Sequence, residues 1–415
     1  MRQKFSDRSP FIAAFNRLGA GLKHVGLSLV RFDEQDLLEE ACRRTGLEDF
    51  GEDSFREPLR ILLNTYDSEA RLTLVGRLAA KHDTLRLLMT RLRLVHDRKR
   101  SPAITEQEII KPLFIIGLPR TGSTLLHNLL AQDPANRTPL TWEVMEPSPP
   151  PEKVHFTDDP RIASTEKLLK KFDWLAQDFK RIHPMHAHLP TECVAIMSPS
   201  FASPQFQSTY QVPSYQKWLH SENLRPAYTF HRRFLQHLQW RCPPQRWVLK
   251  APAHIFALDS LFAVYPDARI IQIHRHPLEV IGSVTSLDIV LRRAFSDAID
   301  PKAIGVEAVK QWAEAANLMT NVHQHELVKR NGVLDVYYRD LVHDPISTVQ
   351  RIYEYFALPF TNQAKDGMEK FLKENPQNKH GVHTYSLSQF GLSSEFVLSH
   401  FKHYIYHFHL DLGSS

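Results

Sequence analysis

A loop framed by two glycines carries the residue types that bind a phosphate group. Gly117 and Gly122 have the spacing of a P-loop, in which glycines let backbone N–H groups point at phosphate oxygens. The lysine that follows the second glycine in ATP-binding loops is absent, because Ser123 occupies its position, and the nearby cation is Arg120. The loop therefore predicts a site for an anion other than the triphosphate of ATP. Its predicted binding residues are Arg120, Thr121, Gly122, Ser123 and Thr124.

A second segment, IQIHRHPLEVIGS, combines a cation and a hydroxyl near the start of another helix. Arg275 stands at the carboxyl end of a predicted strand, which is the edge where α/β sheets bind ligands. Pro277 suits the first turn of a helix, so Ser283 lies about two turns along it. Two phosphate-binding positions on one sheet edge predict a ligand with two separate anionic ends.

The motifs GLPRTGSTLL and HRHPLEVIGS together resemble those of sulfotransferases that use 3′-phosphoadenosine 5′-phosphosulfate (PAPS) as sulfuryl donor. In that family the loop holds the 5′-phosphosulfate, while an arginine and a serine eight residues apart hold the 3′-phosphate. The resemblance implies this second role for Arg275 and Ser283. The form of the loop, with Arg120 before the second glycine, is similar to that of tyrosylprotein sulfotransferases. A P-loop-type fold with three layers and 3′-phosphoadenosine 5′-phosphate (PAP) as product are also implied.

Further segments extend the resemblance over most of the chain. RWVLKAPAH is similar to the family strand whose lysine approaches the bridging oxygen of the donor, which implies that role for Lys250. Together with Arg120 and the loop amides, Lys250 would stabilise charge on the leaving oxygen. VYYRDLVHDP is similar to the family segment YE-x-L, and KHGVHTYSLSQFGLS resembles the C-terminal stretch of a large bacterial-type group with a helical N-terminal region. In this stretch Tyr385 either closes over the nucleotide or belongs to an aromatic patch.

The acceptor hydroxyl requires a general base, for which the sequence offers several residues. Glu143 lies close to where tyrosylprotein sulfotransferases carry their catalytic glutamate, at a longer spacing from the loop. His254 follows Lys250 by four residues, whereas the catalytic histidine of cytosolic sulfotransferases follows the corresponding lysine by two. The segment HAHLPTEC adds His188 and Glu192. The sequence leaves these alternatives open, and each residue also has a purely structural interpretation.

A sheet and its helices must bring these residues together. KPLFIIGL, RWVLKAP, ARIIQIHR and GVLDVYYRDL are short apolar runs typical of buried strands. Helical patterns separate them, which predicts the α/β class with a mainly parallel central sheet. Residues 1–108 are predicted to form a helical N-terminal region and residues 109–415 the sulfotransferase α/β domain. Within that domain, about residues 148–240 are expected to form a helical lid or acceptor insertion.

Composition excludes several classes of protein. Lys and Arg number 51 against 46 Asp and Glu, and the formal charge of +5 is too evenly spread for nucleic-acid binding. Three widely spaced cysteines argue against a disulfide framework or a zinc site, so a reducing, cytoplasmic location is expected. We see no clustered acidic ligands and expect no metal. No apolar run approaches the roughly 18 residues of a membrane span.

The N-terminal stretch FIAAFNRLGAGLKHVGLSLVRF has an amphipathic pattern with two interpretations. Arg17 and Lys23 interrupt its apolar positions, unlike the apolar core of a secretory signal. It is either a surface helix packed on the body or a basic helix that lies on a membrane or binds a partner.

These features predict an enzyme, a PAPS-dependent sulfotransferase that acts by in-line displacement with general-base assistance. The acceptor is expected to be the hydroxyl of a small molecule, a lipid or a glycan. The sequence does not distinguish these three classes or O-sulfation from N-sulfation. It does not predict an oligomeric state. One alternative is a P-loop kinase for a small molecule, which the missing lysine and the lack of an acidic strand end disfavour. The other is a non-catalytic protein that binds PAP or another nucleotide.

Overall fold

The computed structural model describes residues 10–24, 29–175, 185–376 and 386–410, and within them five strands form one sheet. The strands are β1 Leu113–Gly117, β2 Asn136–Arg137, β3 Arg246–Lys250, β4 Arg269–His274 and β5 Val333–Tyr337. Their order is β2-β3-β1-β4-β5, and every neighbouring pair is parallel. The predicted α/β class with a parallel central sheet is confirmed.

Four of the strands coincide with the four apolar runs of the sequence. β2, in contrast, was not predicted, because two residues at the sheet edge are too short to leave a periodic pattern. In the register, Ile115 pairs with Lys250, Gly117 with Ile273, and His274 with Tyr337. The loop after β1, Lys250 and the residues that follow β4 and β5 therefore emerge at one edge of the sheet.

Helices precede the sheet, as the sequence predicts. They are α1 Pro10–His24, α2 Glu34–Thr45, α3 Arg56–Ser68 and α4 Leu74–Arg100. α2 begins where the Asp33 carboxylate accepts the Asp36 N–H at 2.9 Å, and it ends at Gly46, whose φ is 69°. α4 begins where the Thr73 hydroxyl accepts the Gly76 N–H at 3.1 Å. No helix in the described ranges is long and apolar enough to cross a membrane.

The remaining helices surround the sheet or build the segment between β2 and β3. Around the first strands lie α5 Ser123–Leu130 and α6 Thr141–Met145. The predicted insertion contains α7 Pro160–Leu175, α8 Cys193–Met197, α9 Gln205–Thr209, α10 Pro213–Ser221 and α11 Arg225–Gln239. After β3 come α12 Leu258–Val264, α13 Pro277–Phe295, α14 Pro301–Met319, α15 Glu326–Asn331, α16 Tyr338–His343, α17 Pro345–Tyr355, α18 Asn362–Glu374 and α19 Ser394–His407.

Alternating side chains of the strands pack into two apolar cores, one on each face of the sheet. Phe114 and Ile116 belong to the larger core, whereas Leu113 and Ile115 belong to the smaller one with α5, α17 and α18. Helices on both faces make the three layers expected for this fold class. The larger core continues into α3 and α4, so the N-terminal helices pack on the body. The domain division at residue 108 stays a prediction.

Candidate active site

The loop between β1 and α5 turns tightly because two glycines adopt backbone angles that other residues avoid. Gly117 has a φ of 140°, and a Cβ there would lie 2.5 Å from the carbonyl oxygen of Ile273. Gly122 has a φ of 84°, and its Cβ would lie 3.0 Å from the ring of Tyr338. The loop therefore stays close to β4 and β5. It delivers the N-terminus of α5, with its unpaired N–H groups and positive dipole end, to the carboxyl edge of the sheet.

Arg120 joins the two predicted anion-binding motifs. Its Nε donates to the Ser283 hydroxyl oxygen at 3.0 Å, and its carbonyl oxygen accepts a hydrogen bond from Arg275 Nη1 at 2.7 Å. Arg120 itself has a φ of 63°, a left-handed conformation that costs a non-glycine residue on the order of 1 kcal/mol. Two hydrogen bonds hold this conformation, one from the side chain to Ser283 and one from Arg275 to the backbone carbonyl. Residues 163 positions apart thus meet at one site.

Arg275 rests on an aromatic ring that the sequence did not single out. Its guanidinium carbon lies 3.8 Å from the ring centroid of Tyr338, and its Nε donates to Glu279 at 3.3 Å. Tyr338 directly follows β5, the strand beside β4, and this position at the same sheet edge is the signal that could have identified it. The stacked ring fixes the plane of the guanidinium.

The hydroxyls of the loop take different roles. Thr121 is fully buried and donates to the Leu118 carbonyl at 2.8 Å, so it stiffens the turn. Ser123 is also buried, at the first position of α5. Thr124 is exposed, and its Oγ1 accepts a hydrogen bond from Lys250 Nζ at 3.3 Å. Of these three hydroxyls, Thr124 connects the loop to the end of β3.

Lys250 lies between the loop and the start of α8. Its side chain is 3% exposed, and its Nζ lies 2.5 Å from Oε1 of Glu192, whose side chain is 28% exposed. Glu192 directly precedes α8 in an extended conformation. The structure therefore brings Lys250, Thr124 and Glu192 together, with the carboxylate on the accessible side of the buried ammonium group.

Glu143 lies in a different environment, although its type and position made it a candidate base. The residue has no exposed surface, and its carboxylate pairs with the Arg137 guanidinium and accepts the Leu140 N–H at 3.1 Å. Burial raises the pKa of Glu143, and the neighbouring Arg137 acts in the opposite direction. These partners belong to β2 and to the turn before α6, not to the cluster at Lys250.

The two histidine candidates also differ in exposure. His254 is 1% exposed in a 3₁₀ turn after β3, and its Nδ1 lies 2.7 Å from the Tyr228 hydroxyl oxygen. Burial lowers the pKa of His254 to about 3, so the imidazole is neutral near pH 7. His188 is exposed on the segment that precedes α8. Tyr385 lies outside the described residues.

Positive charge dominates the anion site. Three cations lie here, Arg120 in the loop after β1, Arg275 directly after β4 and Lys250 at the end of β3, and the N-terminus of α5 adds its dipole. No group of three His, Cys, Asp or Glu residues in the described part of the chain is arranged to hold a metal ion.

Comparison with known proteins identifies the family. Residues 112–362 match the family described as the sulfotransferase family. The crystal structure of sulfotransferase STF1 from Mycobacterium tuberculosis superimposes with a TM-score of 0.79 at 31% identity, covering 89% of this chain and 98% of that one. The chain belongs to the sulfotransferase family. STF9 from Mycobacterium avium matches this sulfotransferase with a TM-score of 0.83 at 28% identity, over 92% of this chain and 98% of that one.

Curated relatives of this sulfotransferase carry a more specific name. The omega-hydroxy-beta-dihydromenaquinone-9 sulfotransferases Stf3 of Mycobacterium tuberculosis and Mycobacterium bovis are each 27% identical to it over 267 residues. The matched region is 60% of this chain and spans 63% of the length of those relatives.

Proposed function

We propose that the chain transfers a sulfuryl group from PAPS to a hydroxyl acceptor. The observation that carries this proposal is the direct contact of Arg120 with both Ser283 and Arg275. This contact connects the glycine loop at the N-terminus of α5 with the arginine that follows β4, the neighbour of β1 in the sheet. A nucleotide with anionic groups on both its 5′ and 3′ positions matches two such sites, whereas a triphosphate needs only one.

The donor set fits this nucleotide. The loop amides, Arg120 and Thr124 would hold the 5′-phosphosulfate, and Arg275 with Ser283 would hold the 3′-phosphate. The glycines at 117 and 122 keep this loop close against Ile273 and Tyr338, where no side chain would fit. PAPS supplies an activated sulfuryl group on a phosphate leaving group. Lys250 and Arg120 contribute the positive charge that stabilises negative charge on the leaving oxygen.

We assign the general base to Glu192 in preference to Glu143, His254 and His188. Glu192 is half-buried and touches Lys250, so it lies beside the residue proposed to act at the bridging oxygen. Glu143 has no exposed surface from which to reach a substrate, and burial makes His254 a weak base. In this assignment the Glu192 carboxylate accepts the acceptor's proton, while Lys250 turns its ammonium group from Glu192 toward the donor.

A membrane-resident lipid alcohol is our proposed acceptor class. The name of the curated relatives specifies a hydroxylated menaquinone, a lipid with its hydroxyl at the end of an apolar chain. In this chain the residues that follow Glu192 in α8 include Val194 and Ala195, both partly buried and packed on the larger core. These apolar side chains suit a lipid better than a sugar.

The first helix fits an enzyme that meets its acceptor at a bilayer, and we propose that α1 contacts an anionic membrane. Its inner face packs on α4, where Asn16 accepts the Val75 N–H at 3.0 Å. Its outer face exposes Phe15 by 43% and Leu18 by 57%. The first 24 residues contain five Lys or Arg and one Asp, which favours an anionic surface. We keep a cytoplasmic location as part of this proposal, since Cys42, Cys193 and Cys242 are unpaired.

Membrane contact is tested by flotation with vesicles of neutral or anionic lipid. The wild type should float with anionic vesicles, and the double variant Phe15→Glu/Leu18→Glu should not. Leu318→Glu changes a comparably exposed leucine on α14 and should float like the wild type. Equal behaviour of all three proteins would assign the exposed face of α1 to a protein partner or to no partner.

The activity itself is tested with PAPS that carries a labelled sulfuryl group. Purified protein is offered a panel of acceptors: a quinone with a terminal hydroxyl on its isoprenoid chain, a sterol, a phenol, a sugar, a tyrosyl peptide and an amine. We expect transfer to the isoprenoid alcohol and loss of transfer in Lys250→Met. Transfer to another panel member would retain the enzyme class and replace the acceptor. PAP binding without transfer to any compound would instead favour a non-catalytic nucleotide-binding protein.

A further inference from the structure

A chain of hydrogen bonds connects His274, the residue before Arg275, with the C-terminal helix α19. His274 ends β4, and its Nδ1 lies 3.1 Å from the hydroxyl oxygen of Tyr404 in α19. Its Nε2 lies 2.8 Å from Oδ1 of Asp335 in β5, and the other oxygen of Asp335 lies 2.7 Å from Nε2 of His323. Both ring nitrogens of the last residue of the strand are thus held, one of them by the phenol of Tyr404.

The direction of each bond follows from what the groups can donate. Burial lowers the pKa of His274, so the ring is neutral and carries a single N–H. Because a carboxylate only accepts, that N–H is on Nε2 and points at Asp335. Nδ1 therefore accepts the Tyr404 O–H.

The helix that supplies Tyr404 is firmly docked. Tyr404 has no exposed surface, and Phe401 and Val397, about one and two turns before it, are also fully buried. The ring of Phe408 stacks on His274 with centroids 3.9 Å apart. The position of the Tyr404 hydroxyl is therefore fixed by apolar packing that is independent of any ligand.

We propose that Tyr404 is a positioning residue that, by holding His274, fixes the backbone that leads into Arg275 so that the guanidinium meets the 3′-phosphate of the nucleotide. This inference rests on the proposed function, in which Arg275 contacts that phosphate. Arg275 directly follows the residue that Tyr404 holds, and its side chain must reach both the Arg120 carbonyl and the face of Tyr338. A small shift of the backbone moves the whole guanidinium away from a charge-assisted contact that depends on geometry.

The variant Tyr404→Phe removes the hydroxyl and keeps the ring that packs. It leaves His274 Nδ1 without its hydrogen-bond partner. The test is calorimetric titration with PAP and with adenosine 5′-monophosphate (AMP), which has the same base, ribose and 5′-phosphate but no 3′-phosphate. We expect the Kd for PAP to rise roughly 3- to 10-fold, the effect of losing about one hydrogen bond, while the Kd for AMP changes less than about 2-fold. An equal change for both ligands, or no change for PAP, would overturn the proposal.

Tyr406→Phe is the matched control, because it makes the same change on the same helix at a side chain that is 81% exposed. Its Kd values should equal those of the wild type. If Tyr404→Phe fails to fold, Asp335→Asn tests the same chain of bonds from its other end, and it too must weaken PAP more than AMP. Arg275→Ala distinguishes a failure of the proposed function from a failure of the role of Tyr404. If it leaves the preference for PAP over AMP intact, the proposed function fails, whereas an effect in Arg275→Ala without one in Tyr404→Phe refutes only the role of Tyr404.

Discussion

Two glutamate–cation pairs, Glu143 with Arg137 and Glu192 with Lys250, have the same chemistry but opposite surroundings. The Glu143 side chain is 0% exposed and its partner 9%, while the Glu192 side chain is 28% exposed above a buried lysine. Taking both charges of the first pair out of water is costly, so each charge needs the other to stay buried. In the second pair the carboxylate keeps contact with solvent. Burial, and not residue type, is the ground on which we propose Glu192 and not Glu143 as the general base.

The largest expected effect is the loss of turnover when Glu192 is replaced. Glu192→Gln removes the proton acceptor while keeping the shape of the side chain, so kcat should fall by roughly 10²- to 10⁴-fold. The Kd for PAP should stay near the wild-type value, since Glu192 is not among the donor-binding residues. Steady-state transfer assays and calorimetry measure both quantities. Wild-type turnover in Glu192→Gln would break the distinction between the two pairs.

Replacing the buried Glu143 should lower stability and leave turnover unchanged. Glu143→Gln leaves the Arg137 guanidinium buried without a counter-charge, and the free energy of unfolding should fall by about 3–5 kcal/mol. The molecules that remain folded should turn over normally, because the variant leaves Lys250 and Glu192 intact. Urea denaturation followed by fluorescence measures the loss. The control is Glu152→Gln, which breaks an exposed pair with Arg241 and should cost about 1 kcal/mol or less.

A third test concerns His254, the candidate base that is buried like Glu143. Its folded-state pKa of about 3 lies below the unfolded value, so between about pH 6 and pH 4 only the unfolded chain binds a proton there. Stability should therefore fall with decreasing pH, by about 1.4 kcal/mol per pH unit from this residue. His254→Asn keeps an acceptor for Tyr228 and should flatten the slope by that amount while turnover persists. An unchanged slope together with lost turnover would move the base assignment to His254.

The smallest effect is expected in the coupling between Lys250 and Glu192. A double-mutant cycle with Lys250→Met and Glu192→Gln should give a smaller unfolding coupling than the buried pair, because water reaches the Glu192 carboxylate. The same cycle with Arg137→Met and Glu143→Gln should give several kcal/mol. Equal coupling energies would mean that the two pairs do not differ in the way their exposure indicates.

The sequence predicts those features that depend on local pattern. β1, β3, β4 and β5 were predictable because strands buried on both faces leave continuous apolar runs, and the loop from Gly117 to Gly122 was predictable because its backbone requires glycine. Arg275 and Ser283 followed from the resemblance of their motif, and the structure places both beside Arg120.

Other features depend on contacts between distant parts of the chain. Glu192 and its partner Lys250 are 58 residues apart, so nothing in the sequence around Glu192 indicates that it meets a buried lysine. Tyr404 and His274 are 130 residues apart, so their contact leaves no local pattern. β2 is too short for a periodic signal. The roles of Glu143, His254 and Tyr385 stay predictions.

The most direct test of the central claim is a calorimetric titration of the purified protein with PAP and, separately, with ATP and Mg²⁺. If the loop at Gly122 and the strand end at Arg275 bind one nucleotide with separate 5′ and 3′ anions, PAP binds and ATP does not displace it. Arg275→Ala should then raise the Kd for PAP by roughly 10- to 100-fold, the effect of losing a charge-assisted contact. Binding of ATP with Mg²⁺, together with no binding of PAP, would contradict the claim.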